Sequence, residues 1–164
     1  EISCSLVGSE MCIRDSYFPN AKISVLSNST FLAREKVVKA LAKVDNPIMK
    51  LDTVNADYIK RIDRPNAKYD VKGVIEKLKN MTVRPIIQTM FMKGEFEGQS
   101  VDNTTDEFVD PWIDVLEEIK PREVMIYTLD RDTPAAGLKK ADKESLCKIR
   151  DKLERRGYRV MVSV

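Results

Sequence analysis

Pro47-Ile48-Met49-Lys50-Leu51-Asp52-Thr53-Val54-Asn55, followed by Tyr58-Ile59-Lys60-Arg61-Ile62-Asp63-Arg64-Pro65, is the stretch on which the reading of the fold turns. A short apolar run meets two opposite charges, Lys50 and Asp52. Side chains two apart in a strand share a face, so an ammonium and a carboxylate emerge together where this strand ends. Buried α/β strands rarely carry charge in mid-run, and parallel α/β sheets and barrels place their ligands at the C-terminal ends of strands.

Strand-like and helix-like segments alternate from residue 22. A first strand, Lys22 to Ser27, precedes a helix over about Phe31 to Lys43, and Pro47 to Leu51 is the second strand. A short helix from about Asn55 to Ile62 stops before Arg64-Pro65, because the residue before proline disfavours helical geometry. Asp70 caps a helix over Val71 to Met81, and a third strand, Arg84 to Phe91, runs into an acidic, glycine-bearing loop over Lys93 to Asn103. Thr104 to Glu107 has capping-box spacing and opens a helix to Lys120, with Pro111 marking a kink or a late start. Strand four is Glu123 to Thr128, and a loop over Leu129 to Ala141 follows it. Asp142 caps a last helix ending at Arg155-Arg156-Gly157, where cations meet the negative end of the helix dipole, and Tyr158 to Ser163 is the fifth strand.

Strands joined by crossover helices imply parallel pairing, so the fold class is α/β. Periodicity alone does not separate a barrel from an open sheet. Polar residues nevertheless gather in or just after the C-terminal ends of successive strands: Asn28, Lys50 and Asp52, Gln88 and Thr89, then Thr128, Asp130 and Arg131. Any one of these is ordinarily a turn or cap residue. Together, on adjacent strands, they form one polar rim suited to a ligand.

Composition bounds the function. The 164 residues, 43% hydrophobic and 33% charged, suffice for one domain with a core. A net charge of +2, from 28 basic and 26 acidic residues, gives no nucleic-acid footprint. No apolar run approaches the roughly 20 residues a membrane span needs, and no signal-peptide pattern opens the chain, so the expected compartment is the cytoplasm. The absence of histidine removes Ser-His-Asp and Cys-His catalysis and every imidazole metal ligand. Cys4, Cys12 and Cys147 fit neither a disulfide framework nor a paired zinc site, and Cys147 reads as a reduced, half-buried thiol on an amphipathic helix. Val7 to Asp15 resembles the conceptual translation of a transposase adapter used in sequencing libraries. Residues 1–16 are therefore read as non-native, and residues 17–164 as the domain.

Four ordered pieces resemble a known family: Ala21 to Ser29; Lys50-Leu51-Asp52 with Arg61 to Pro65; Gln88 to Gly94; and Pro121 to Arg131. The set is similar to the radical S-adenosylmethionine (radical SAM) enzymes, in a branch loosely grouped with wyosine-type tRNA modification proteins. The resemblance implies the C-terminal portion of a partial (β/α)6 TIM-like barrel with parallel strands. It implies S-adenosylmethionine across the C-terminal rim and a [4Fe-4S] cluster whose electron, from a donor such as flavodoxin or ferredoxin, releases a 5′-deoxyadenosyl radical. RNA enters as a substrate only through this resemblance. By the same resemblance Ser27 and Asn28 line the methionine side of the cofactor, and Lys50 and Asp52 reach its carboxylate, amine or ribose hydroxyls. Gln88 contacts the same molecule, while Tyr127, Asp130 and Arg131 border the adenine or the substrate.

The departure is that neither the CxxxCxxC cluster motif nor the Gly-Gly-Glu-like motif is present. The chain reads as part of a longer enzyme, expected on its own to bind no cluster and catalyse nothing. Two other readings stay open. One is a barrel lyase using Lys50 as a Schiff-base nucleophile, against which the neighbouring Asp52 argues, since a carboxylate keeps lysine protonated. The other is a non-catalytic α/β domain that binds a small ligand at the same rim.

Overall fold

The computed structural model describes residues 17–66, 69–131, 133 and 135–164; the reading of residues 1–16 lies outside them. Strand β1 (Ser24–Ser27) leads through helix α1 (Glu35–Leu41) to β2 (Asn46–Lys50), and α2 (Ala56–Ile62) and α3 (Val71–Lys79) lead to β3 (Ile86–Phe96). Then follow β4 (Gln99–Ser100), α4 (Asp106–Ile119), β5 (Glu123–Thr128), β6 (Leu138–Lys140), α5 (Lys143–Arg155) and β7 (Val160–Ser163).

The order β1-β2-β3-β5-β7 decides what periodicity left open. All five strands are parallel and each lies beside its predecessor, with no reversal of the kind that divides a doubly wound sheet. Right-handed crossovers then place every connecting helix on one face, as in a barrel. The packing agrees with that placement. Met49, Leu51, Ile87, Phe91, Val124 and Ile126 point into the helix layer, against Leu78 of α3, Trp112 and Leu116 of α4, and Leu146 and Leu153 of α5. The alternate residues face the other way. Register aligns Lys50, Gln88, Met125 and Met161 in one row across that second face, above Leu26 and Ile48. This face is lightly covered, with Leu26 56% and Met161 46% exposed.

Several expectations are corrected. Only part of Phe31 to Lys43 is helical: residues 30–33 form turns, Phe31 is exposed, and α1 starts at Glu35. The loop expected over Lys93 to Asn103 is a β-hairpin. Strand β3 continues to Phe96, turns through Glu97 (φ 51°) and Gly98 (φ 71°), and returns as β4. Two successive positive φ values define the tight turn that matches the twist of paired strands. The expected loop over Leu129 to Ala141 contains β6, which pairs antiparallel with Met92 to Gly94. The capping box is absent too: the Thr104 amide and hydroxyl donate to Asp102 at 2.9 and 2.6 Å, and Thr105 occupies the N-cap without a side-chain bond. Helix α4 starts at Asp106, so Pro111 lies inside it and does not mark a late start. Asp70 takes the N-cap position of α3 without a capping bond, whereas Asp142 does cap α5, accepting from the Ser145 amide at 2.8 Å. Cys147 is a free, half-buried thiol, as its helix position implied.

Gly94 permits the junction of β3 with β6. Its φ is 108°, and a Cβ there would fall 2.1 Å from the Gly137 carbonyl oxygen. Gly94→Ala is therefore expected to cost about 2 kcal/mol or more, through both strain and overlap. Thermal unfolding checks this; a melting temperature equal to wild type would contradict the close approach.

Candidate functional site

Strand β2 ends in an irregular rung that sets the site. The Leu51 amide donates to the Gln88 carbonyl at 3.0 Å, and a regular parallel ladder would next join the Met90 amide to the Leu51 carbonyl. Side chains take over instead. The Met90 amide donates to Asp52 Oδ1 at 2.7 Å, and the Leu51 carbonyl accepts from Thr89 Oγ1 at 2.8 Å and Trp112 Nε1 at 3.2 Å. One residue earlier, the Lys50 carbonyl accepts from the fully buried Ser29 hydroxyl at 3.0 Å. Ser29 sits at φ 66°, where the chain turns sharply after β1.

Asp52 thus has one oxygen on the backbone and the other, Oδ2, 3.2 Å from the Lys50 ammonium. The two side chains are only 31% and 12% exposed, for Lys50 and Asp52 respectively. Burial pulls the Lys50 pKa down, but the Asp52 charge and Tyr127 outweigh it, leaving the pKa raised. Burial likewise raises Asp52, against the opposing pull of Lys50 and of the Met90 amide. The ammonium also stands 6.0 Å from the centre of the Tyr127 ring, reaching across β3. A lysine held protonated in this way is the opposite of what a Schiff-base nucleophile requires.

These strand ends open on a cavity of about 880 Å³, whose lining includes Asn28 to Ala33 and Asp63, Arg64 and Tyr69. Asn28, Lys50 and Asp52 line it directly. Gln88 is the register partner of Lys50, on the same face, and Tyr127 lies against that lysine. The Ser27 hydroxyl accepts from the Ser29 amide at 3.2 Å and so shapes the turn. Ser27, Gln88, Tyr127, Asp130 and Arg131 do not themselves line the cavity; Asp130 and Arg131 are exposed, and Asp130 is 3.6 Å from Lys140 of β6.

Sequence reading missed Asp63, which sits at the C-cap of α2 and lines the cavity. Burial and then the negative Asp52 raise its pKa to about 6, with Lys50 pulling the other way. It also missed the hairpin, which α2 and Arg64 contact. Tyr58 of α2 donates from its hydroxyl to the Val101 carbonyl at 3.0 Å and meets Phe108 edge-on at 5.2 Å. Arg64 pairs with Glu97 at the hairpin tip and lies 4.7 Å over the Phe96 ring. Among the described residues no His/Cys/Asp/Glu cluster is arranged to hold a metal ion, and no helix is long and apolar enough to cross a membrane.

A parallel α/β sheet in unbroken strand order is an architecture shared with solved enzymes. A radical SAM methyltransferase from Sphaerobacter thermophilus superimposes with a TM-score of 0.66 and 18% identity, over 86% of this chain and 40% of its own. Streptococcus suis SuiB bound to S-adenosylmethionine gives 0.61 and 14%, over 87% and 32%. A domain of pyruvate-formate lyase-activating enzyme from Bacteroides vulgatus ATCC 8482 gives 0.66 and 13%, over 98% and 89%. These structural neighbours are radical SAM enzymes, and the likeness is one of fold. Among curated proteins, GTPase Obg of Brachyspira hyodysenteriae (strain ATCC 49526 / WA1) is 24% identical over 132 residues, 80% of this chain and 19% of that protein. The chain thus spans about a fifth of that relative, and its sequence has no Gly-x4-Gly-Lys-Ser/Thr phosphate loop. No protein-family model matches the sequence.

Proposed function

We propose that this chain is the S-adenosylmethionine-binding part of a radical SAM enzyme, holding the cofactor at the C-terminal ends of β1, β2, β3 and β5. The observation that carries the reading is the Lys50-Asp52 pair at the mouth of the 880 Å³ cavity, on a sheet shared with radical SAM enzymes. The methionine end of S-adenosylmethionine is zwitterionic. An ammonium and a carboxylate fixed side by side answer both signs without leaving net buried charge. Asn28 and Gln88 supply neutral donors and acceptors on either side of that pair, and Tyr127 offers an aromatic surface for the adenine.

Bound S-adenosylmethionine supplies a sulfonium whose reductive cleavage yields a 5′-deoxyadenosyl radical. This chain's part is to bind and orient the molecule. The residues do not fit an iron–sulfur cluster: among those described, the only cysteine is Cys147, on α5 and remote in sequence from the strand-end loops, and the sequence has no CxxxCxxC. The chain alone is therefore expected to bind the cofactor without cleaving it. Isothermal titration of the purified chain tests the reading. S-adenosylmethionine is expected to bind with one site and ATP at least about tenfold more weakly, a difference of about 1.4 kcal/mol. Equal affinity for both would point to a generic nucleotide pocket and sink the assignment.

A further inference from the structure

Three charged groups meet where the cavity reaches β2, and two of them are already engaged. Asp52 spends Oδ1 on the Met90 amide and Oδ2 on Lys50, and Lys50 answers Asp52 and the Tyr127 ring. The Asp63 carboxylate makes no hydrogen bond or ion pair with any described residue, yet it lines the same cavity and feels both charges of the pair. The other groups around it do not neutralise it. Tyr58 of its own helix and Tyr69 from the segment before α3 feel its charge, Arg61 lies toward Tyr58, and neighbouring Arg64 is turned to Glu97 and Phe96.

We propose that Asp63 is a binding residue for the positively charged centre of the cavity's ligand, a sulfonium or an ammonium, in the cavity it shares with the Lys50-Asp52 pair. The inference rests on the proposed function for the identity of that ligand. A carboxylate crowded by burial and by a second carboxylate is the group that gains most from an incoming cation. Its pKa of about 6 makes the gain visible as a pH dependence. Below that value the group is protonated and offers no charge, so a cationic ligand binds more weakly as pH falls.

The test is calorimetric titration with S-adenosylmethionine at about pH 5, 6 and 7, below the range where the ligand's own amine titrates. Wild type is expected to bind about tenfold more weakly at the lowest pH than at the highest. Asp63→Asn is expected to lose about tenfold at pH 7 and to show a nearly flat profile, any residual slope belonging to Asp52. Asp63→Ser, which removes the charge through a different side chain, is expected to do the same, with thermal unfolding confirming that each variant is folded. S-adenosylhomocysteine, which keeps the ammonium and lacks the sulfonium, identifies the partner. Retention of the slope assigns the ammonium, and its loss assigns the sulfonium. Matching pH profiles in wild type and both folded variants overturn the role of Asp63 while leaving cofactor binding intact. Absence of binding at every pH overturns both.

Discussion

Trp112→Ala is expected to destabilise the fold by about 3–5 kcal/mol, the cost of emptying a fully enclosed aromatic site. Such a loss is a large share of the roughly 5–15 kcal/mol that stabilises an ordinary domain, and it corresponds to a fall of about 10 °C in melting temperature. Two contacts disappear together. The indole stacks edge-on against Phe91 at 5.5 Å and 87°, and its N–H donates to the Leu51 carbonyl at the end of β2. Trp112→Phe separates them. It keeps most of the ring packing and loses the hydrogen bond, whose net worth is about 1 kcal/mol, and Thr89 still serves the carbonyl. Chemical denaturation of both variants measures the split. Equal losses would move the weight from packing to the hydrogen bond and contradict this account.

Asp52→Ala has the second-largest expected effect, because it strands two groups at once. Lys50 loses its counter-charge and the Met90 amide loses its acceptor, for a cost of about 3 kcal/mol. That figure sits at the low end for a broken pair because the ammonium still reaches solvent. Asp52→Asn keeps an oxygen for the amide and recovers part of the loss. Lys50→Met combined with Asp52→Asn recovers more, since no charge then remains to be compensated. On the proposed function all three variants lose S-adenosylmethionine binding, although their stabilities differ. Denaturant unfolding beside a ligand titration checks both statements. A destabilised Asp52→Ala chain that bound normally would remove the pair from the site.

Strand β5 was legible to the residue, from Glu123 to Thr128, because its alternation between the helix layer and the open face is uninterrupted. Strand β2 was legible for a related reason. Lys50 falls on the face away from the helices and Asp52, just past the strand, pairs with it, so a pattern that looks anomalous for a buried strand suits this one. The β3–β4 hairpin was not read, although Glu97-Gly98 is a two-residue turn between Phe96 and Gln99. Its support is non-local. Asn103 accepts from the Met92 amide and donates to the Met90 carbonyl, and Tyr58 and Arg61 bond to the returning chain from α2. A local window over Lys93 to Asn103 sees charge and glycine; the fold brings the partners.

The site divides in the same way. Asn28, Lys50 and Asp52 follow from strand ends and stand together at the cavity. Asp130 and Arg131 satisfied the same criterion and stand outside it, because a polar residue after a strand serves a solvated turn equally well. Asp63 lies within the Arg61 to Pro65 piece but drew no site assignment. It reads as a helix-terminal acid before Arg64-Pro65, and only the crossover from β2 brings it near Asp52.

The irregular rung at the end of β2 also limits how the cavity can read a molecule. The Lys50 and Leu51 carbonyls and the Met90 amide are all consumed within the protein. Those three main-chain groups are not on offer, so discrimination at this rung rests on exchangeable side chains mounted on a backbone that is already tied down. Replacing those side chains can retune which molecules are accepted without redrawing the path of the chain.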